Sequence, residues 1–94
     1  MAKRIINNKN IAVIELSIAE ARDVNLGPIC DHCNDALILS KENVLYVPVL
    51  NHLVCKKCYN EWLNKPSTRH YPEDKHFEKV HYNYYAEKLN LETI

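Results

Sequence analysis

Cys30-x2-Cys33 and Cys55-x2-Cys58, separated by twenty-one residues, are the positions in this chain whose type and spacing carry chemistry. Two thiolates two residues apart can turn toward one ion on a tight knuckle, each Zn–S bond being about 2.3 Å, and two such pairs complete a tetrahedron. The expectation is one structural Zn2+ held by Cys30, Cys33, Cys55 and Cys58. Ligand type alone leaves iron in a four-sulfur site as an alternative. A closed set of four cysteines has no open position for water, and neither a nucleophile–base pair nor a phosphate-cradling glycine loop accompanies it. With one glycine in the chain a P-loop is excluded, and no catalytic residue, enzymatic activity or small-molecule substrate is expected.

Two other uses of four cysteines are weaker. Disulfides need an oxidising compartment. Lys3, Arg4 and the apolar stretch Ile11 to Ala19 have the outline of a secretory leader, but Glu15 interrupts the apolar part and Asn7 to Asn10 lead into it with polar residues. A reduced, cytoplasmic chain is expected instead. A redox dithiol at Cys55-Lys56-Lys57-Cys58 would sit at a helix N-terminus with lysines lowering the thiol pKa. It lacks the βαβ surroundings of such motifs and leaves Cys30 and Cys33 without a role.

The histidines add little to this set. His52 precedes the second pair, yet four cysteines already fill a tetrahedron, so it reads as a loop residue or a hydrogen-bond donor behind the ligands. His32, inside the first pair, is expected to face solvent. His70, His76 and His81 lack the i, i+4 spacing of a helical metal pair and read as surface residues, His81 partly packed.

The elements that position the cysteines follow from local pattern. Ile5-Ile6, the polar connection Asn7 to Asn10 and the β-branched run Ile11 to Ile14 predict a hairpin. Ser17 with Glu20 three residues on fits a capping box, opening a short helix to Leu26 that would close on Gly27 as its left-handed residue before Pro28. Val44 to Val47 and Val49 to Val54, broken by Pro48, predict a second hairpin. Asn34 stands where a knuckle needs a positive φ. Cys58, Tyr59, Trp62 and Leu63 share one face of a helix that carries the second pair in its first turn and ends before Pro66. Pro66 to His70 reads as a connector. Pro72, Glu73 and Asp74 then open a C-terminal amphipathic helix, its stripe formed by Phe77, Val80, Tyr84 and Leu91 with His81, Tyr85 and Leu89 beside it. Phe77, Val80 and Tyr84 are expected to cover the metal module, leaving Tyr82 and Tyr85 as candidates for an exposed binding surface.

At 94 residues the chain is expected to be one α+β domain, 1–94, comprising a hairpin and short helix (1–29), the zinc module (30–64) and a connector with C-terminal helix (65–94). A core this small gains from a metal staple. Twelve Lys plus Arg balance twelve Asp plus Glu, and zinc bound to four thiolates would take the total to about −2. A phosphate-tracking partner is therefore disfavoured, and no apolar run reaches the roughly 20 residues of a membrane span.

A knuckle, a hairpin and a helix bearing the second pair resemble the treble-clef zinc fingers over about residues 30 to 64. The stretch from His52 to Leu63 is similar to the part of RING domains where a His precedes Cys-x2-Cys and a Trp follows on the helix. It departs from RING because no cysteine follows Cys58, so a second zinc site, and with it ubiquitin-ligase activity, is not implied. LIM and GATA modules share the paired spacing, but the basic tail of GATA proteins is missing after Pro66. In its richness in Asn, Lys and Ile with one glycine, the chain resembles small proteins of phages and mobile elements of Gram-positive bacteria, among them the metal-binding anti-CRISPR inhibitors. That resemblance implies a stoichiometric inhibitor that binds a type II CRISPR effector–guide complex and hinders DNA loading or cleavage. The sequence is thus compatible with two functions: a protein-binding adaptor or inhibitor, and a small nucleic-acid-binding zinc-finger regulator. The balanced charge favours the first.

Overall fold

A computed structural model describes residues 2–7, 9, 11–26, 29–34, 36–37, 42–65 and 75–93. Along the chain these form β1 (Lys3–Ile6), β2 (Ala12–Leu16), α1 (Ile18–Asp23), β3 (Val44–Val47), β4 (His52–Val54), α2 (Lys56–Leu63) and α3 (Lys75–Lys88). The fold is α+β, with one antiparallel sheet in the order β1-β2-β3-β4.

The N-terminal hairpin pairs Lys3 with Glu15 through to Ile6 with Ala12. Its connection extends to Ile11 rather than Asn10, because the Asn7 side chain folds the chain back locally. Asn7 Oδ1 accepts from the backbone N–H groups of Lys9 (3.0 Å) and Ile11 (3.1 Å). In α1 the capping box forms as expected: Ser17 Oγ accepts from Glu20 N–H (3.2 Å) and Glu20 Oε1 from Ser17 N–H (3.0 Å). Glu20 Oε2 also accepts from Ala2 N–H at 2.7 Å, tying the start of the chain to the helix. Burial opposes ionisation of Glu20, but these bonds outweigh it and hold the carboxyl below its ordinary pKa.

The end of α1 differs from the expectation. The helix stops at Asp23, and Asn25 at φ 63° is the left-handed residue. Asn25 N–H donates to Arg22 O (3.1 Å) and Leu26 N–H to Ala21 O (2.8 Å), the paired bonds of a Schellman motif. Gly27 and Pro28 lie outside the described residues. After α3 the same motif recurs, with Asn90 at φ 60° and Leu91 N–H bonded to Ala86 O at 2.8 Å. Every positive-φ residue described is an asparagine, namely Asn25, Asn34, Asn51 and Asn90. Asparagine tolerates that region better than other side chains, and this glycine-poor chain relies on it.

The second hairpin joins Leu45 to Val54 and Val47 to His52 around a turn at 48–51, so its outgoing strand is shorter than the apolar run Val49 to Val54 suggests. Leu50 N–H bonds to Val47 O and Asn51 N–H to Pro48 O, both at 3.1 Å. Tyr46 OH then donates to Asn51 Oδ1 at 2.6 Å. Pairing of Ile14 with Tyr46 and Leu16 with Val44 fuses the two hairpins into one sheet. All four residues of β3 are buried, so both sheet faces are covered there, since successive side chains point to opposite sides.

Helix α3 turns a different face to the sheet from the one its apolar stripe predicts. Glu78, Tyr82 and Ala86 are buried, whereas Phe77 is 59% exposed, Val80 50% and Tyr84 54%. The four-residue spacing 78, 82, 86 defines the inward face. Polar bonds set this rotation. Glu78 Oε1 accepts from Ala12 N–H at the start of β2 (2.9 Å), and His81 Nδ1 donates to Pro48 O (2.9 Å). Tyr85, half-buried, meets Tyr46 edge-on with ring centroids 4.5 Å apart. Tyr82, a candidate for the binding surface, is instead wholly buried, its OH donating to Glu92 O at 2.9 Å. The connector Pro66 to His70 and the helix start at Pro72, Glu73 and Asp74 lie outside the described residues.

Two substitutions separate the inward and outward faces of α3. Glu78→Ala leaves a buried N–H without its acceptor and should cost about 1–3 kcal/mol. Phe77→Ala should change stability by less than about 0.5 kcal/mol, as at an ordinary surface position. Urea unfolding of the two variants beside the parent chain measures both, and equal losses would refute the assignment of faces.

Candidate metal centre

The first cysteine pair is shaped by a short knuckle. An isolated antiparallel bridge between Ile29 and Ala36 closes its base, and Asn34, at φ 63°, donates from its N–H to Cys30 O at 2.9 Å. The knuckle is anchored to β4 through Asp31, whose N–H donates to Leu53 O (2.9 Å) and whose Oδ2 accepts from Leu53 N–H (2.8 Å). That reciprocal pair sets the first two sulfurs beside the end of β4, where the second pair begins.

Cys55 is the N-cap residue of α2, with φ −75° and ψ 163°, and its carbonyl accepts from Tyr59 N–H at 2.9 Å. Its side chain makes no capping hydrogen bond. Cys58 lies in the first turn, where backbone N–H groups lack helical partners and the dipole is positive, a setting that favours negatively charged sulfur. Lys56 and Lys57 occupy the exposed side of that turn.

The structure brings Cys30, Cys33, Cys55 and Cys58 together. All four sulfurs lie within 4.8 Å of one another, and Cys33 Sγ is 4.0 Å from Cys55 Sγ. None is in a disulfide. A tetrahedron with Zn–S bonds of about 2.3 Å has sulfur–sulfur edges of about 3.8 Å, so the cluster fits one such ion. Four cysteines are thus positioned to bind one metal ion, and the donor set is consistent with a single structural zinc.

The sulfurs are electrostatically unequal. Burial pushes the Cys30 thiol up, but backbone N–H groups of Cys33, Cys55 and His32 and the Cys33 side chain stabilise its thiolate and bring it down to about 7. Burial, followed by the side chains of Cys55, Cys33 and Cys30, raises the Cys58 thiol far above its ordinary value. Four thiolates cannot collect here without a compensating charge. A divalent cation supplies it.

The histidines beside the cluster differ from expectation. His32 is exposed, but rather than facing only solvent it pairs with His52, Nε2 to Nδ1 at 3.1 Å, the two rings meeting edge-on. Burial, and after it the neighbouring His52 and Lys65 side chains, lower the His32 pKa, with Asp31 opposing. Neither histidine joins the sulfur cluster. Trp62 is half-buried, its ring 6.0 Å from that of Tyr59. With Asp31, His32, Cys33, Cys58, Glu61 and Lys65 it lines an open cleft of about 460 Å³ on one side of the sulfurs. The hydrogen-bonded partners Asp31 and Leu53 were not singled out from sequence; an acidic residue inside a Cys-x2-Cys pair was the available signal.

Cys58→Ser should abolish stoichiometric metal binding and most of the folded signal in circular dichroism, because structural zinc contributes about 10–16 kcal/mol of apparent binding free energy in small zinc peptides. Protons compete with the metal for the same sulfurs, so affinity should fall as pH falls. Cys58 loses a bound proton to the metal throughout the neutral range, and Cys30 does so below about 7. Competition titration with a chelator should give at least about a hundredfold change in affinity per pH unit below 7 and at least about tenfold above it. In comparisons with known proteins, no family model, no curated sequence and no solved structure matches this chain.

Proposed function

We propose that this chain is a non-enzymatic, zinc-stapled protein-interaction module, built around residues 30–64 as a treble-clef-like finger and acting in the cytoplasm by occupying the surface of another protein. The observation that carries the reading is the outward face of α3, where Phe77, Val80 and Tyr84 stand 50–59% exposed at i, i+3, i+7 spacing. Exposed aromatics at that spacing are the anchors of helix-in-groove recognition. Lys88 Nζ lies 4.6 Å from the centroid of the Tyr84 ring and His76 packs edge-on against Phe77, giving the apolar stripe a polar rim. The order of knuckle bridge, hairpin and α2 with the second pair at its start supports the treble-clef reading. The closed sulfur set supports a structural role for the metal, since no ligand position is left for a reacting water. The balanced charge, 12 basic against 12 acidic residues, weighs against a nucleic-acid reader.

Within that class, we propose a small phage-encoded inhibitor of a type II CRISPR effector–guide complex. The support for this finer reading is the compositional resemblance to phage proteins together with a rigid scaffold that displays an aromatic stripe. The protein at about tenfold molar excess should suppress target-DNA cleavage by a type II effector, and Phe77→Ala with Tyr84→Ala should relieve the suppression by at least about tenfold while leaving zinc content unchanged. Undiminished cleavage at that excess would reject the effector as the partner.

A further inference from the structure

We propose that Cys33 and Cys55 form an oxidation-sensitive edge of the metal centre, at which a hydroperoxide converts the two thiolates into a disulfide and releases the ion. The inference rests on the zinc reading above and extends it to how that site is regulated.

The sulfurs divide into an inner and an outer pair. Cys30 is 0% exposed and Cys58 7%, whereas Cys33 is exposed and Cys55 half-buried. Cys33 and Cys58 both line the open cleft between the knuckle and α2, but of the two only Cys33 is exposed there, which gives a small oxidant a route to its sulfur. Cys55 Sγ lies 4.0 Å from Cys33 Sγ. Closing that gap to the roughly 2.05 Å of a disulfide requires side-chain rotation. Cys33 sits in a turn, and the Cys55 side chain makes no capping hydrogen bond that rotation would break.

The chemistry balances with hydrogen peroxide as oxidant. The Cys33 thiolate attacks one peroxide oxygen, the O–O bond breaks, and a sulfenic acid forms as hydroxide leaves. The Cys55 thiolate then attacks the Cys33 sulfur, forming the S–S bond and expelling a second hydroxide. Two electrons pass from the two sulfurs to peroxide, and two protons from solvent turn the hydroxides into water. Cys30 and Cys58 are not oxidised and keep their sulfurs at the thiol level. Two sulfurs do not retain a structural zinc, which takes four ligands.

The test treats zinc-loaded full-length protein with hydrogen peroxide, follows zinc release with a chromogenic chelator, and maps disulfides after thiol alkylation. One zinc per chain should be released in step with a Cys33–Cys55 disulfide, while Cys30 and Cys58 remain alkylatable. Cys33→His keeps a metal ligand but removes the attacking sulfur, and should slow release by at least about tenfold. Where that variant does not fold, the disulfide map of the unsubstituted chain decides alone. Loaded protein that keeps its zinc under peroxide, releases it from Cys33→His at the unsubstituted rate, or first joins Cys30 to Cys33 or Cys55 to Cys58, overturns the proposal while the zinc reading stands. Protein isolated without metal and unable to take up zinc overturns both.

Discussion

Four sulfurs within 4.8 Å of one another are the constraint on which the rest of this structure turns. Brought that close, thiolates repel, and burial together with the neighbouring side chains of Cys55, Cys33 and Cys30 raises the Cys58 thiol pKa. The arrangement becomes stable as a set of thiolates when a cation sits among them. Three segments meet there: the knuckle at 30–33, the end of β4 and the first turn of α2. Independently of any ion, the knuckle is held to β4 by the Asp31–Leu53 bonds. A metal contribution of about 10 kcal/mol is comparable to the whole net stability of a small domain, which is typically 5–15 kcal/mol.

The sheet beneath this centre solves a separate problem. Neither hairpin alone would have independent stability, because two strands bury too little apolar surface. Joining β2 to β3 gives a four-stranded sheet whose two central strands are almost wholly buried. Helix α3 completes the enclosure through an acid. Glu78 reaches the Ala12 N–H, and a buried backbone donor left without an acceptor costs about 1–3 kcal/mol, comparable to what burying one more hydrophobic side chain gains. The rotation that seats Glu78, Tyr82 and Ala86 inward turns Phe77, Val80 and Tyr84 outward. The same polar contact that seals the core thus creates the exposed aromatic stripe.

Among the described residues of this chain, which has one glycine, the left-handed backbone positions fall to asparagine. Asn25 and Asn90 close α1 and α3, Asn34 follows the knuckle, and Asn51 completes the turn of the second hairpin while its side chain accepts from the Tyr46 hydroxyl. The reversals therefore carry side chains, and at Asn51 the side chain links the turn to the core.

The amino-acid sequence by itself determined the features that depend on near neighbours. The two Cys-x2-Cys pairs, the capping box at Ser17 and Glu20, the hairpin about Asn7 and the start of α2 after Cys55 are all written in spacings of a few residues, because knuckles, caps and turns close through bonds between residues that are adjacent along the chain. Tertiary structure decided what distance along the chain conceals. The pairing of β2 with β3, the contact of His32 with His52 and the inward face of α3 each join residues twenty or more positions apart. Hydrophobic periodicity selected Phe77, Val80 and Tyr84 as the buried stripe. It measures apolar content along one helix, whereas the orientation adopted was set by a hydrogen bond between Glu78 and a strand 66 residues away.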